Sequence, residues 1–181
     1  MKKPFVTVCF VLFLFLSGQA QTYQGNWLVG GTGNLHLGTK NKGTLLMLSP
    51  RFGVFAANNL AFGAILPLAL YSYSGSTTSS FGLSPFVRGY FGSMPTQFFV
   101  EGRIGYQRYN FNSDTGDFND YANTFTYGIG LGVTRYITEQ VGLELLVSYD
   151  ETGNNDAILN TSNLTGINVN VGFQIYLPGT K

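Results

Sequence analysis

Five charged residues, Arg51, Arg88, Glu101, Arg103 and Glu144, sit in stretches where apolar and polar side chains alternate, each on the polar face. Side chains alternate across a β-strand, so in a closed barrel with an oily exterior all five point inward. Three guanidinium groups and two carboxylates in one lumen can form ion pairs, or line a narrow water-filled pore with fixed charge. If Phe91 and Phe98 pair across the short 92–96 turn, Arg88 stands opposite Glu101 on the same face. An unpaired charge in a narrow interior is costly, so these five are first candidates for lumen ion pairs. Lining for a solute or ion pore is the second reading.

Other residues offer less. His36, the single histidine, has the inward parity, with Asn34 and Gly38 beside it on that face and no Cys, Asp or Glu at ligand spacing. Asp114, Asp117, Asp120, Asp150, Glu151 and Asp156 fall in or at the start of two polar loops. Their oxygens suit a hard cation, but their spacing matches no calcium-loop pattern. Gly128-Ile129-Gly130-Leu131-Gly132 lacks the strand–turn–helix setting and the Lys-Ser/Thr of a phosphate loop. Glycine at alternate positions is better read as making room on a crowded inner face. No catalytic, cofactor-binding or metal site is assigned, and none of these residues implies a cofactor.

The elements that position the five charges are strands. The last, Thr165–Leu177, puts Ile167, Val169, Val171, Phe173, Ile175 and Leu177 on one face and Asn168, Asn170, Gly172, Gln174 and Tyr176 on the other. Its length suits a tilted strand crossing the hydrocarbon layer of a bilayer. Seven earlier runs read as strands: 26–38, 44–55, 60–73, 81–91, 97–109, 124–137 and 141–150. In the third, Pro67 predicts a bend or bulge. Short connections (56–59, 92–96, 138–140) alternate with longer polar ones (74–80, 110–123, 151–164), and only 39–43 is short where a long one is due. Phe55, Phe91 and Tyr136 at one end, and Tyr71, Tyr73, Tyr106, Tyr109 and Tyr149 at the other, are expected to form two aromatic belts, with Trp27 joining the first.

Composition agrees. Only 10% of residues are charged, while aromatics reach 15% and glycines number 24. Ordinary soluble domains carry roughly 25% charged residues. No basic stripe exists for nucleic acid. Residues 1–20 read as a cleaved signal peptide, with Lys2 and Lys3 before the apolar 6–16 run and small residues ahead of Gln21. The single cysteine, Cys9, lies within that run, so no disulfide is expected in the 21–181 domain. The expected fold class is therefore all-β, an eight-stranded antiparallel up-and-down transmembrane β-barrel, because only a closed sheet satisfies every strand edge in lipid.

The runs L-S-P-R-F-G-V-F-A-A-N-N-L-A-F-G at 48–63, L-S-P-F-V-R-G-Y-F at 83–91, F-F-V-E-G-R-I-G-Y at 98–106, Y-G-I-G-L-G-V at 127–133 and V-N-V-G-F-Q-I-Y-L at 169–177 resemble the small OmpA/OmpX-like outer-membrane barrels, especially the variety common in Bacteroidetes. The resemblance implies a Gram-negative outer-membrane protein with periplasmic termini, surrounded by lipid and lipopolysaccharide. It implies a monomer delivered by periplasmic chaperones and the outer-membrane insertion machinery. The family has no common catalytic motif, so the resemblance transfers no active site. The charge-filled inner face and the absence of a catalytic cluster in the sequence lead to the expectation of a structural or surface-interaction role rather than an enzyme. Gly25-Asn26-Trp27 also matches the opening of soluble lipocalins, a lipid-binding alternative.

Overall fold

The computed structural model describes residues 22–37, 43–73, 76–113, 119–153 and 165–179. Nine strands follow in chain order: β1 (Trp27–Leu37), β2 (Thr44–Ala57), β3 (Leu60–Ile65), β4 (Leu68–Tyr73), β5 (Ser76–Ser93), β6 (Thr96–Ser113), β7 (Asn119–Tyr136), β8 (Val141–Thr152) and β9 (Gly166–Leu177). Each pairs antiparallel with its neighbours, and β9 returns to pair with β1, so the sheet is closed. β3 and β4 are two halves of one barrel strand, both lying between β2 and β5. The architecture is thus the expected eight-stranded antiparallel barrel.

The break between β3 and β4 has a local cause. Pro67 has no N–H to give the ladder, and Pro50 faces the same gap from β2. Leu66 N still donates to Pro50 O (2.9 Å) and Gly82 N to Pro67 O (3.0 Å). The register is the same on both sides of the gap, so the ladder pauses there without a bulge. A register shift does occur nearer the turn, between Phe55 and Ala57.

One end of the barrel, the turn end, carries the connections 58–59, 94–95 and 137–140 and the outer ends of β1 and β9. The opposite, loop end has the remaining four connections. β5, β6 and β7 each run 18 residues, well past the others there. Residues 76–80, 110–113 and 119–123, expected as loop from their Ser, Thr, Asn and Asp content, are strand: Ser76 pairs with Ser113 and Asn112 with Asn119. Composition there misleads because side-chain alternation records a buried face, whereas the ladder itself needs only backbone groups.

The face pattern is that of a barrel with an apolar exterior. Leu131, Ile129, Val171, Ile104 and Phe173 are exposed on the outside, and Leu28, Phe99, Leu146 and Tyr176 are buried within. No helix among the described residues is long and apolar enough to cross a membrane, which says nothing against a barrel.

Trp27 points outward against Phe52, with ring centroids 5.0 Å apart, and Phe91 stacks on Phe98 at 5.8 Å. Tyr106 and Tyr149 also face out, whereas Tyr71, expected in the same belt, is exposed but stands opposite Leu45 with the inward parity of Ala69. Phe55, Tyr136 and Tyr109, expected in the aromatic belts, are instead buried inside the barrel. Each shares the parity of an inward residue on its own strand (Arg51, Thr134 and Glu101 respectively), and parity decides over residue type. The Tyr73 side chain lies outside the described residues, as do residues 1–20.

Candidate functional site

The five charges come from four strands and meet at mid-lumen. Arg51 is on β2, Arg88 on β5, Glu101 and Arg103 on β6, and Glu144 on β8. Arg88 and Glu101 are direct cross-strand partners. Arg88 Nη2 donates to Glu101 Oε2 at 2.6 Å and Nε to the same oxygen at 2.9 Å. Its Nη1 reaches Glu144 Oε1 at 2.8 Å and Oε2 at 3.0 Å. Arg51 Nη1 donates to Glu101 Oε2 (2.7 Å), and Arg103 Nη1 to Glu101 Oε1 (3.0 Å). Glu101 thereby holds three guanidinium groups, while Glu144 has one plus the hydroxyls of Thr134 (3.0 Å) and Tyr176 (3.3 Å).

The network includes a sixth charge, which the sequence places at the end of the 141–150 run and the start of the following loop. Asp150, in β8, accepts from Arg103 Nη2 at 2.6 Å and Nε at 2.9 Å, and from Ser148 Oγ (2.8 Å) and Asn168 Nδ2 (3.0 Å). It shares the inward parity of Glu144, and that signal was available in the alternation of Val141–Asp150. With Asp150 counted, three acids balance three arginines. Such balance is what a low-dielectric interior requires, since attraction offsets desolvation only when partners and hydrogen bonds are complete.

Toward the turn end the network rests on aromatic rings. The Arg88 guanidinium carbon lies 3.9 Å from the centroid of the Phe99 ring, a cation–π contact. Tyr90 is 5.7 Å from Phe99 and 5.6 Å from Phe55, and Tyr136 is 5.1 Å from Tyr176. With Leu28 these side chains fill the lumen's cross-section. Segment 22–26 lies at the same end: Asn59 N donates to Thr22 O (2.7 Å) and Gly25 N to Phe55 O (2.8 Å).

The alternate glycines of β7 serve this packing. A Cβ on Gly132 would stand 2.2 Å from the Phe99 ring, and one on Gly130 would stand 2.7 Å from Leu146 Cδ1. Phe99 is fully buried beneath Arg88 and has nowhere to go. Gly132→Val is expected to cost about 1–3 kcal/mol through overpacking. Chemical denaturation of the refolded barrel checks this, and a loss below the measurement error would contradict it.

The His36 side chain, Asp114, Asp117, Asp156 and the Asp120 side chain lie outside the described residues. Glu151, on β8, has the opposite parity to Asp150. No group of three or more His, Cys, Asp or Glu among the described residues is placed to hold a metal ion. Chemically the cluster can bind charges to one another and fill space.

A closed antiparallel barrel with an apolar outside and an ion-paired, aromatic-filled inside defines the class of small membrane-type β-barrels. The structure is similar to the N-terminal beta-barrel domain of Pseudomonas aeruginosa OprF, with a TM-score of 0.57 and 15% identity over 84% of this chain and 97% of that one. It is likewise similar to Neisserial surface protein A (NspA), with a TM-score of 0.55 and 16% identity over 85% of this chain and 98% of that one. At these identities the likeness is one of fold. No protein-family model and no curated protein matches the chain.

Proposed function

We propose that this protein is an integral bacterial outer-membrane barrel, of the OmpA/OmpX-like kind found in Bacteroidetes, with a sealed lumen and a structural or surface-interaction role. One observation carries the reading: Arg88, Glu101, Phe99, Phe55, Leu28 and Tyr176, each at most 1% exposed, fill the lumen side by side. Such a layer supports a lumen closed to water and ions, because an eight-stranded interior has room for little besides side chains. The likeness to a beta-barrel domain and to a surface protein supports the location and a non-catalytic role.

On this reading residues 1–20 are removed at export and both termini are periplasmic. The barrel works as a monomer whose apolar exterior contacts lipid and lipopolysaccharide. Periplasmic chaperones and the insertion machinery deliver it. The narrow-pore alternative requires Arg51, Arg88 or Glu101 to line water, but each is buried and paired. Planar-bilayer recording of the refolded protein tests the seal: no steady unit conductance is expected. Regular openings abolished by denaturation would overturn it.

A further inference from the structure

Above the plug, toward the loop end, the lumen widens into a cavity of about 300 Å³. Its two sides differ. β2 and β4 contribute Leu45, Met47 and Ala69, an apolar wall, while Gln107, Thr126 and Asn170 on β6, β7 and β9 offer amides and a hydroxyl. Arg51, Arg103 and Asp150 line it as well. Among the described residues, every ionised group at this floor is already paired: Arg103 with Asp150 and Glu101, and Arg51 with Glu101. A charged solute would have to break one of those pairs or enter without a counter-charge, and either is costly. Arg51 nevertheless keeps its Nε–H without a protein partner, although the residue is only 3% exposed.

We propose that this cup is a binding site for a neutral saccharide of one or two rings. A pyranose has a C–H face that suits the apolar wall and an edge of hydroxyls that both donate and accept. Amide and hydroxyl side chains satisfy such groups in both directions. The volume sits at the small end of ligand pockets, which excludes a polymer threaded through the barrel. The floor is blind, so the sugar enters and leaves by the same mouth; this rests on the sealed lumen argued above.

Saturation-transfer NMR on the full chain, refolded in a detergent without a sugar headgroup, tests the site with D-glucose and sucrose as probes. Both sugars are expected to receive saturation. Sodium gluconate and glucosamine are expected to bind at least about tenfold more weakly, the cost of an unbalanced charge. Ala69→Phe fills the cup from its apolar wall and is expected to abolish transfer. Asn170→Leu is expected to weaken binding by about tenfold, the cost of one lost hydrogen bond. Neither residue belongs to the plug, and a retained heat-dependent gel shift shows that each variant is folded. No transfer to the folded wild type, stronger binding of gluconate, or unchanged transfer in Ala69→Phe would each overturn the site. Release of glucose entrapped in proteoliposomes separates the two ideas. Release would remove the sealed lumen and the blind cup together, whereas no release and no binding would remove only the saccharide site.

Discussion

Replacing Arg88 by alanine is expected to destabilise the folded barrel by about 3–5 kcal/mol, the usual cost of breaking a buried ion pair from one side. Glu101 would keep Arg51 and Arg103, but Glu144 would lose its guanidinium and retain only the hydroxyls of Thr134 and Tyr176. The Phe99 ring would lose the cation seated 3.9 Å from its centroid. Urea unfolding in lipid vesicles, followed by the fraction of gel-shifted protein, measures the loss. Two comparisons identify its cause. Arg51→Ala should cost less, because Glu101 is left with two arginines. Arg88→Met combined with Glu144→Gln should also cost less than Arg88→Ala alone, because no orphaned charge remains. A loss under about 1 kcal/mol for Arg88→Ala, the range of exposed pairs, would mean that water reaches the network.

The second large effect lies on the outside. Leu131 is 63% exposed, on the apolar outward face of β7 between Val100 and Val147 of the neighbouring strands. In a lipid-embedded barrel Leu131→Arg is expected to cost about 2–4 kcal/mol, the penalty for a cation facing the bilayer midplane. In a water-soluble barrel the same change would be close to neutral, since surface substitutions clear of special features stay within about 0.5 kcal/mol. Unfolding titrations of the variant in lipid vesicles distinguish the two. A neutral result would mean that this face does not contact hydrocarbon.

Much of the barrel was legible from alternation. The two-residue period in Gln97–Tyr109, Thr124–Ile137 and Thr165–Leu177 reports which face meets an apolar medium, and the Phe91–Phe98 pairing across the 92–96 turn sets Arg88 opposite Glu101. What stayed hidden has identifiable causes. The outer parts of β5, β6 and β7 lack the alternation, so their polar residues read as loop although their backbones run on in the ladder. Phe55, Tyr109 and Tyr136 were assigned by residue type against their own parity and are lumen residues. Asp150 looked like a loop acid because it ends an alternating run, yet it balances Arg103. The amphipathic cup depends on which strands stand across the lumen from each other, and that is a property of closure that no single segment contains.

The most direct test of a lipid-embedded, closed barrel compares boiled with unboiled samples of the detergent-extracted protein by gel electrophoresis after membrane fractionation. The account predicts recovery in the outer-membrane fraction and a band whose mobility changes on boiling. A freely soluble periplasmic protein with no boiling-dependent shift would contradict it.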